Sequence, residues 1–521
     1  MPISLRKKEK IGTVAVVGGG IAGRLTAIDL AQTGLYDVHL YMEGPSSETV
    51  APTVHTGFEY ITSPETGKQI LRANLRFMMQ FPDLYTDTIT PDHRARFVIS
   101  AKSEKHGKDG PDYATAQQFA QTMRKEYEIL TDDYARQCRK PPAQMQEELL
   151  GTPEEFVRFL SRQDVLGRNG IKHAEEEVIG GGGLETSCRC WNAPKLEAFL
   201  SQEMDALGVH VHKTRVTDFK TDAGMKKVVT QNGEESPTFN EIVLAAAHNN
   251  VALAQKIKHD HTPIEGWVDL HSTVLLELPP GYDWPKHHFT LTLRGDDKIN
   301  PDQAGMFAPV AWPKDGKPGL AFLYFASGAD LGDGKTGSRW IHAPLVNGQI
   351  PREIDDYIIN GRPNSREAGE DMVKALLPTY PFLKYARVIG TKERPVIRLS
   401  NTVHERLHKG PETVDDGVFA IYGQKLTTSS DTAMEATQKV LEHSLQQGRL
   451  SQEDYEQLSP IGLNGFKLPT ILKYYNYSDV DLQESYLQQA LETIKAREDI
   501  AFPEHMIHTS YREPQKATPA R

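Results

Sequence analysis

Short β-branched apolar runs recur at Val14-Ala15-Val16-Val17, Val38-His39-Leu40-Tyr41-Met42 and Glu241-Ile242-Val243-Leu244-Ala245-Ala246-Ala247. Runs of this kind predict strands buried on both faces, as in a parallel sheet. Other segments space their apolar residues three and four apart: Leu25, Ile28, Leu30 and Ala31, then Ile70 to Phe81, then Leu196, Phe199, Leu200, Met204 and Leu207. These predict amphipathic helices, the last running from Asn192 to Leu207. Residues 100–180 are charged and helical in pattern, with a helix expected at 157–166 and a flexible turn at Gly180-Gly181-Gly182-Gly183. Residues 209–212, 214–219 and 228–230 read as strands, with His210 and His212 as surface histidines. Between 265 and 350, apolar stretches at 271–278, 289–293, 306–312 and 319–325 are separated by Gly, Asp and Pro. That pattern predicts an antiparallel sheet built from hairpins. A strand at 416–421, a glycine turn and a helix through Leu441 follow.

Composition narrows the class. The chain has 521 residues, room for two to four domains, with 25% charged and 38% hydrophobic residues. Fibrous and wholly disordered classes are excluded. A formal charge of −11 argues against a broad electrostatic nucleic-acid binder, so no nucleic-acid partner is expected. Four basic residues in Met1–Lys10 precede an apolar run and mimic a secretory leader, but the run passes straight into glycines. No stretch reaches the ~18–20 apolar residues of a membrane span. Three cysteines make no disulfide framework, which points to a reducing, cytoplasmic compartment. Cys188-Arg189-Cys190 lacks further Cys or His arranged for a metal, so plain thiols and no metal site are expected.

The first chemical motif is Gly18-Gly19-Gly20-Ile21-Ala22-Gly23, which fits G-x-G-x-x-G between a predicted strand and a predicted helix. Gly18 permits the tight turn, Gly20 lets backbone approach a pyrophosphate, and Gly23 lets helix pack on strand. The helix N-terminus, opening at Ile21 and Ala22, offers free N–H groups and a positive dipole end to phosphates. Glu43 ends the second strand, twenty residues after Gly23, where a carboxylate accepts from ribose hydroxyls. That carboxylate disfavours NADP, leaving FAD and NAD. No second fingerprint occurs: the sixth positions from Gly180 and Gly181 are Glu185 and Thr186.

His55-Thr56-Gly57-Phe58-Glu59-Tyr60 carries an H-x-G-x-x-Y pattern. It resembles the loop after the second strand in FAD-dependent oxidoreductases of the D-amino-acid oxidase superfamily, which includes glycerol-3-phosphate and L-2-hydroxyglutarate dehydrogenases. Residues 192–247 resemble that family's return to its FAD domain. Gly390-Thr391-Lys392-Glu393-Arg394-Pro395 resembles its G-x-R-P segment, and Gly423-Gln424-Lys425-Leu426-Thr427-Thr428 its Gly-Gly-Lys-x-Thr-Thr turn. The resemblance covers about residues 11–445. It implies FAD as cofactor, with His55 in flavin contact or proton transfer and Val216 meeting adenine through its backbone. Ala247 stands where the family has glycine, and Gln424 replaces the second glycine. The resemblance implies that the turn at Gly423, Leu426 and Thr427 aims backbone N–H groups at the flavin and that Lys425 contacts flavin or substrate. The resemblance also implies that Arg394 meets the acidic group of the substrate, and a guanidinium suits that role because it forms two bonds to a carboxylate at once. Arg398, His404, Arg406 and His408 make that stretch locally basic.

The expected fold class is α/β: a discontinuous Rossmann-like FAD-binding domain, an interleaved antiparallel-sheet substrate domain and a helical C-terminal extension. The expected FAD-binding pieces are 11–100, 181–264 and 386–445, with a helical insertion at 101–180, a substrate domain at 265–385 and the extension at 446–521. Docking on the body, homodimerisation and fraying are all open to that tail. The expected reaction oxidises a C–H bond next to an amine or hydroxyl of a small anionic substrate by hydride transfer to flavin, with oxygen or a quinone as acceptor. A flavin monooxygenase or halogenase shares the first motif, but its Gly-Asp-Ala-Ala-His segment is missing here. A non-catalytic, FAD-stabilised interaction protein is the third reading.

Overall fold

A computed structural model describes residues 9–43, 53–54, 56–61, 63–82, 85–86, 88–90, 93–94, 96–102, 113–168, 179–191, 193–222, 224–246, 249–261, 266–282, 284, 288–291, 305–311, 313, 315–326, 342–344, 369–370, 373–374, 377, 381–399, 410–421, 428–458, 461–462 and 465–466. The N-terminal unit is β1 (Gly12–Val17), α1 (Ile21–Gln32) and β2 (Tyr36–Met42), followed by α2 (Pro64–Gln80). Next come β3 (Arg96–Lys102), α3 (Tyr113–Cys138), β4 (Val157–Ser161), β5 (Ile179–Ser187) and α4 (Ala193–Leu207). The middle holds β6 (His210–Lys213), β7 (Val216–Asp222), β8 (Met225–Thr230), β9 (Glu235–Phe239) and β10 (Glu241–Leu244). Then follow β11 (Gly266–Leu278), β12 (His288–Leu291), β13 (Gly305–Ala311), β14 (Gly319–Ala326), β15 (His342–Pro344) and β16 (Arg387–Leu399). The last elements used below are β17 (Glu412–Asp415), β18 (Val418–Ala420) and α5 (Ser429–Gln446).

A six-stranded sheet runs in the order β6-β2-β1-β10-β18-β17. Every neighbouring pair is parallel except β17–β18. Alternation along β1 sorts its side chains between two cores. Val14 and Val16 join Val38, Leu40 and Val243 under the helices α1, α4 and α5, meeting Ile28, Leu200 and Val440. Ala15 and Val17 face the other way, with Tyr41 and Leu244, against Val216, Val228 and Phe239 of the antiparallel meander β7-β8-β9.

The second sheet has nine strands. Its path is β15-β11-β14-β13-β12-β3-β5-β4, and β16 pairs antiparallel along β11. The hairpin strands expected between 265 and 350 lie in this sheet. Val274, Leu276, Phe307, Leu323 and Phe382 form its buried centre. A further core joins α2 and α3 through Leu71, Leu75, Phe119, Met123 and Tyr127.

Two expectations are corrected. Residues 157–161 form strand β4, and helix begins only at Arg162. Val157 and Leu160 are buried while Phe159 is 38% exposed, and pairing with β5 decides the conformation. The glycines at 180–183 lie inside β5 rather than in a turn. A Cβ on Gly182 would overlap the Leu160 carbonyl and lie 2.9 Å from the Tyr113 ring, so the bare backbone admits both neighbours. Of the expected extension, a helix at Gln452–Leu458 packs on α5, while the helical stretch expected at 479–496 lies outside the described residues.

Candidate functional site

The glycine loop crosses the end of the parallel sheet. Gly18 has φ +125°, and a Cβ there would overlap the Ala245 carbonyl just past β10. Gly18 N–H donates to the Tyr41 carbonyl at 2.9 Å. A Cβ on Gly23 would overlap the Gly18 carbonyl, so α1 lies directly on the loop. Gly20 is the N-cap of α1. No side chain caps this terminus, and its first turn carries no acid. Ile21 is fully buried and Ala22 half-buried behind it. An uncapped helix end next to a glycine turn is a cradle for phosphate oxygens. These residues fit the pyrophosphate of a dinucleotide. Glu43 is exposed immediately after β2, at the same end of the sheet. Val216 opens β7 with its side chain buried and its backbone paired with Thr230.

Three polar anchors missed by sequence reasoning hold this end together. Asn250 is fully buried; its Nδ2 donates to the Leu244 carbonyl at 3.1 Å and to the Ile421 carbonyl, and its Oδ1 accepts from Ala246 N–H at 2.6 Å. It thereby joins the ends of β10 and β18. Arg24, in the first turns of α1, is 2% exposed and forks onto Glu197 of α4 at 2.5 and 2.7 Å. Arg76 of α2 pairs with the buried Asp431 in the first turn of α5, its Nε 2.9 Å from Oδ1. Arg24 and Arg76 meet their partners across long stretches of chain, and Asn250, though it bonds nearby Leu244 and Ala246, joins the two strands only by reaching Ile421, 171 residues on.

At the opposite end of β10, buried Glu241 accepts from Arg449, from His443 Nδ1 at 3.0 Å and from Ser444 Oγ at 3.3 Å. Tyr36 donates to Ser444 Oγ at 2.9 Å, and burial pushes its phenol well up. The Glu241 hydrogen bond holds the His443 imidazole above the usual histidine range, with Asp416 at 3.1 Å adding to it.

His55, Ala247, Gly423, Lys425, Leu426 and Thr427 lie outside the described residues. Their neighbours are placed. Thr53–Val54, just before His55, pairs antiparallel with Cys190 and Arg189, so the last two residues of the C-x-C segment lie in a strand. Cys138 and Cys188 are free thiols. Arg394 lies on β16, in register opposite His271 of β11, and thus belongs to the nine-stranded sheet. Helix α5 starts at Ser429, directly after the segment holding Lys425.

A parallel sheet with this loop, joined to a large, mostly antiparallel lobe, defines a two-lobed α/β protein of the dinucleotide-binding class. The model of the FAD dependent oxidoreductase (DAO) family matches residues 13–300, and the chain belongs to that family. It is therefore an FAD-dependent oxidoreductase. Solved structures share the fold. L-proline dehydrogenase from P. horikoshii is 11% identical, covers 87% of this chain and 97% of its own, and superposes with a TM-score of 0.51. Iminodiacetate oxidase from Chelativorans sp. BNC1 is 14% identical, with coverages of 86% and 99% and a TM-score of 0.50. NikD, an unusual amino acid oxidase essential for nikkomycin biosynthesis, is 12% identical, with coverages of 90% and 100% and a TM-score of 0.51. No curated protein matches by sequence. No helix among the described residues is long and apolar enough to cross a membrane.

Proposed function

We infer that this enzyme oxidises a C–H bond next to an amine or hydroxyl of a small, carboxylate-bearing substrate, working in the cytoplasm and passing electrons to oxygen or a quinone. The reading rests on the joining of the FAD-type loop to a lobe whose strand β16 carries Arg394 in register along β11. FAD, when bound, supplies the two-electron redox chemistry. The protein's residues divide the remaining work. The loop from Gly18 to Gly23 holds the pyrophosphate, Glu43 accepts from the ribose hydroxyls, and the Val216 backbone meets adenine. Ala247, Gly423, Leu426 and Thr427 border the flavin. Arg394 clamps the substrate carboxylate through two parallel N–H bonds. His55 takes the substrate hydroxyl proton where the substrate is an alcohol, and Lys425 contacts flavin or substrate.

The test is anaerobic mixing of the yellow holoprotein with amino acids, N-methyl amino acids and 2-hydroxy acids. Bleaching of the flavin by one of these classes is expected. No bleaching by any acid, together with uncoupled NADPH oxidation, favours the monooxygenase reading instead.

A further inference from the structure

The edge of the parallel sheet carries a second constellation, away from the glycine loop. Residues i and i+2 of a strand share a face, so Asp37, His39 and Tyr41 of β2 line one side. Strand β6 runs parallel beside it, with His210 opposite His39 and His212 opposite Tyr41. The pairing therefore gathers three imidazoles and a carboxylate that the sequence scatters over two segments. His210 Nε2 lies 3.1 Å from Asp37 Oδ1, and His39 Nε2 lies 3.6 Å from Asp37 Oδ2. One ligand atom from each of Asp37, His39 and His210 falls within 4.8 Å of the other two. His39 Nδ1 is 2.9 Å from His212 Nε2. His212 is itself stacked on Tyr41 at 4.5 Å, and His39 meets the Phe239 edge at 5.2 Å.

We propose that Asp37, His39 and His210 form a binding site for a divalent late transition cation of the zinc type, with His212 orienting the His39 ring. Tetrahedral zinc with bonds of about 2.0–2.1 Å sets its ligands roughly 3.3 Å apart, close to the 3.1 Å between His210 Nε2 and Asp37 Oδ1, while His39 Nε2 stands 3.6 Å from the other carboxylate oxygen. Two imidazoles and one carboxylate suit such a cation, and a fourth position stays open to water. When His39 donates from Nδ1 to His212 Nε2, its Nε2 lone pair faces the Asp37 carboxylate. That is the tautomer a metal ligand needs, fixed by its outer hydrogen bond. The ion has a way in: the side chains of Asp37 and His210 are 44% and 55% exposed, while His39 is 13% exposed on the packed side. Bound there, the cation cross-links the edge strand β6 to the body of the sheet through His210 on one strand and Asp37 and His39 on the other.

The experiment uses the full-length, FAD-loaded protein after chelator treatment, titrated calorimetrically with zinc chloride and, separately, with cobalt(II) followed by its visible spectrum. One zinc per chain, a cobalt spectrum of low coordination number and a raised melting temperature are expected. Asp37→Asn and His210→Gln, both at partly exposed positions, should each weaken zinc binding at least tenfold with the fold intact. His212→Ala should weaken it roughly 10–100-fold by freeing the His39 ring. No stoichiometric zinc binding by the wild type, or binding unchanged in Asp37→Asn and His210→Gln, overturns the site.

Discussion

Replacing Glu197 with glutamine tests whether the nucleotide-binding helix is held by a buried ion pair. Arg24 is 2% exposed, and its guanidinium meets Glu197 at 2.5 and 2.7 Å. Its Nε has no partner among the described residues, so Glu197 is the carboxylate that balances the charge there. Two unit charges about 4 Å apart attract by roughly 4 kcal/mol at an effective dielectric of 20. Removing one partner of a buried pair typically costs about 3–5 kcal/mol, because the other charge is stranded. The Glu197 side chain is 19% exposed, so water reaches the pair and lowers the expected loss to about 2–4 kcal/mol. At about 2.1 cal/mol/K of unfolding entropy per residue over 521 residues, that is a fall of roughly 2–4 °C in melting temperature, read by circular dichroism and by release of flavin fluorescence. The double variant Arg24→Met/Glu197→Met removes both charges and fills the space with apolar atoms. It should recover to within about 1 kcal/mol of wild type. A Glu197→Gln protein that melts like wild type, or a double variant as unstable as the single one, refutes the reasoning.

Gly23→Ala drives a Cβ into the Gly18 carbonyl and to 3.0 Å from the Ala245 Cβ, forcing α1 off the loop. One lost charge-assisted hydrogen bond to phosphate is about 1.5–3 kcal/mol, so FAD affinity should fall at least tenfold; wild-type FAD retention after gel filtration would falsify this. His443 has its folded pKa raised above the ordinary 6.5 by Glu241, so its stabilisation is full below 6.5 and is lost as pH climbs through the folded value. The melting-temperature gap between wild type and His443→Gln should therefore narrow with rising pH, and a gap independent of pH sinks the assignment. Arg394→Ala should raise KM for carboxylate substrates at least tenfold while leaving FAD content intact, and loss of FAD instead shows that the residue serves the cofactor.

What could be read in the sequence was local. Gly18, Gly20 and Gly23 stand at fixed spacing between a four-residue apolar run and a helix, and no distant partner is needed to see them. The antiparallel hairpins between 265 and 350 were equally legible from alternation and turn residues. What was missed was settled by distant chain. Val157 and Leu160 are three apart, which mimics a helix face, and only the β5 ladder makes them a strand. Gly180 to Gly183 have no side chains to signal a strand. Arg24 reads as an ordinary polar helix residue until α4 buries it. His39 sits 171 positions before His210, and no spacing rule joins them before β6 is laid against β2.

The strand order has a consequence for how the protein is made. Strand β10, at the heart of the parallel sheet, is flanked by β1 and by β18, which begins at Val418. On a ribosome adding about 5–20 residues per second, β10 waits roughly 9–35 s before that last neighbour emerges. Meanwhile the edge formed by Ile242, Val243 and Leu244 is unpaired and apolar, and the helix face that α5 later covers is bare. The glycine loop is among the earliest parts synthesised, yet the crevice it serves closes only when Asn250 can reach the Ile421 carbonyl. The full crevice thus exists only in chains that have reached Ile421, so FAD meets it late in synthesis and selects such chains rather than templating shorter ones.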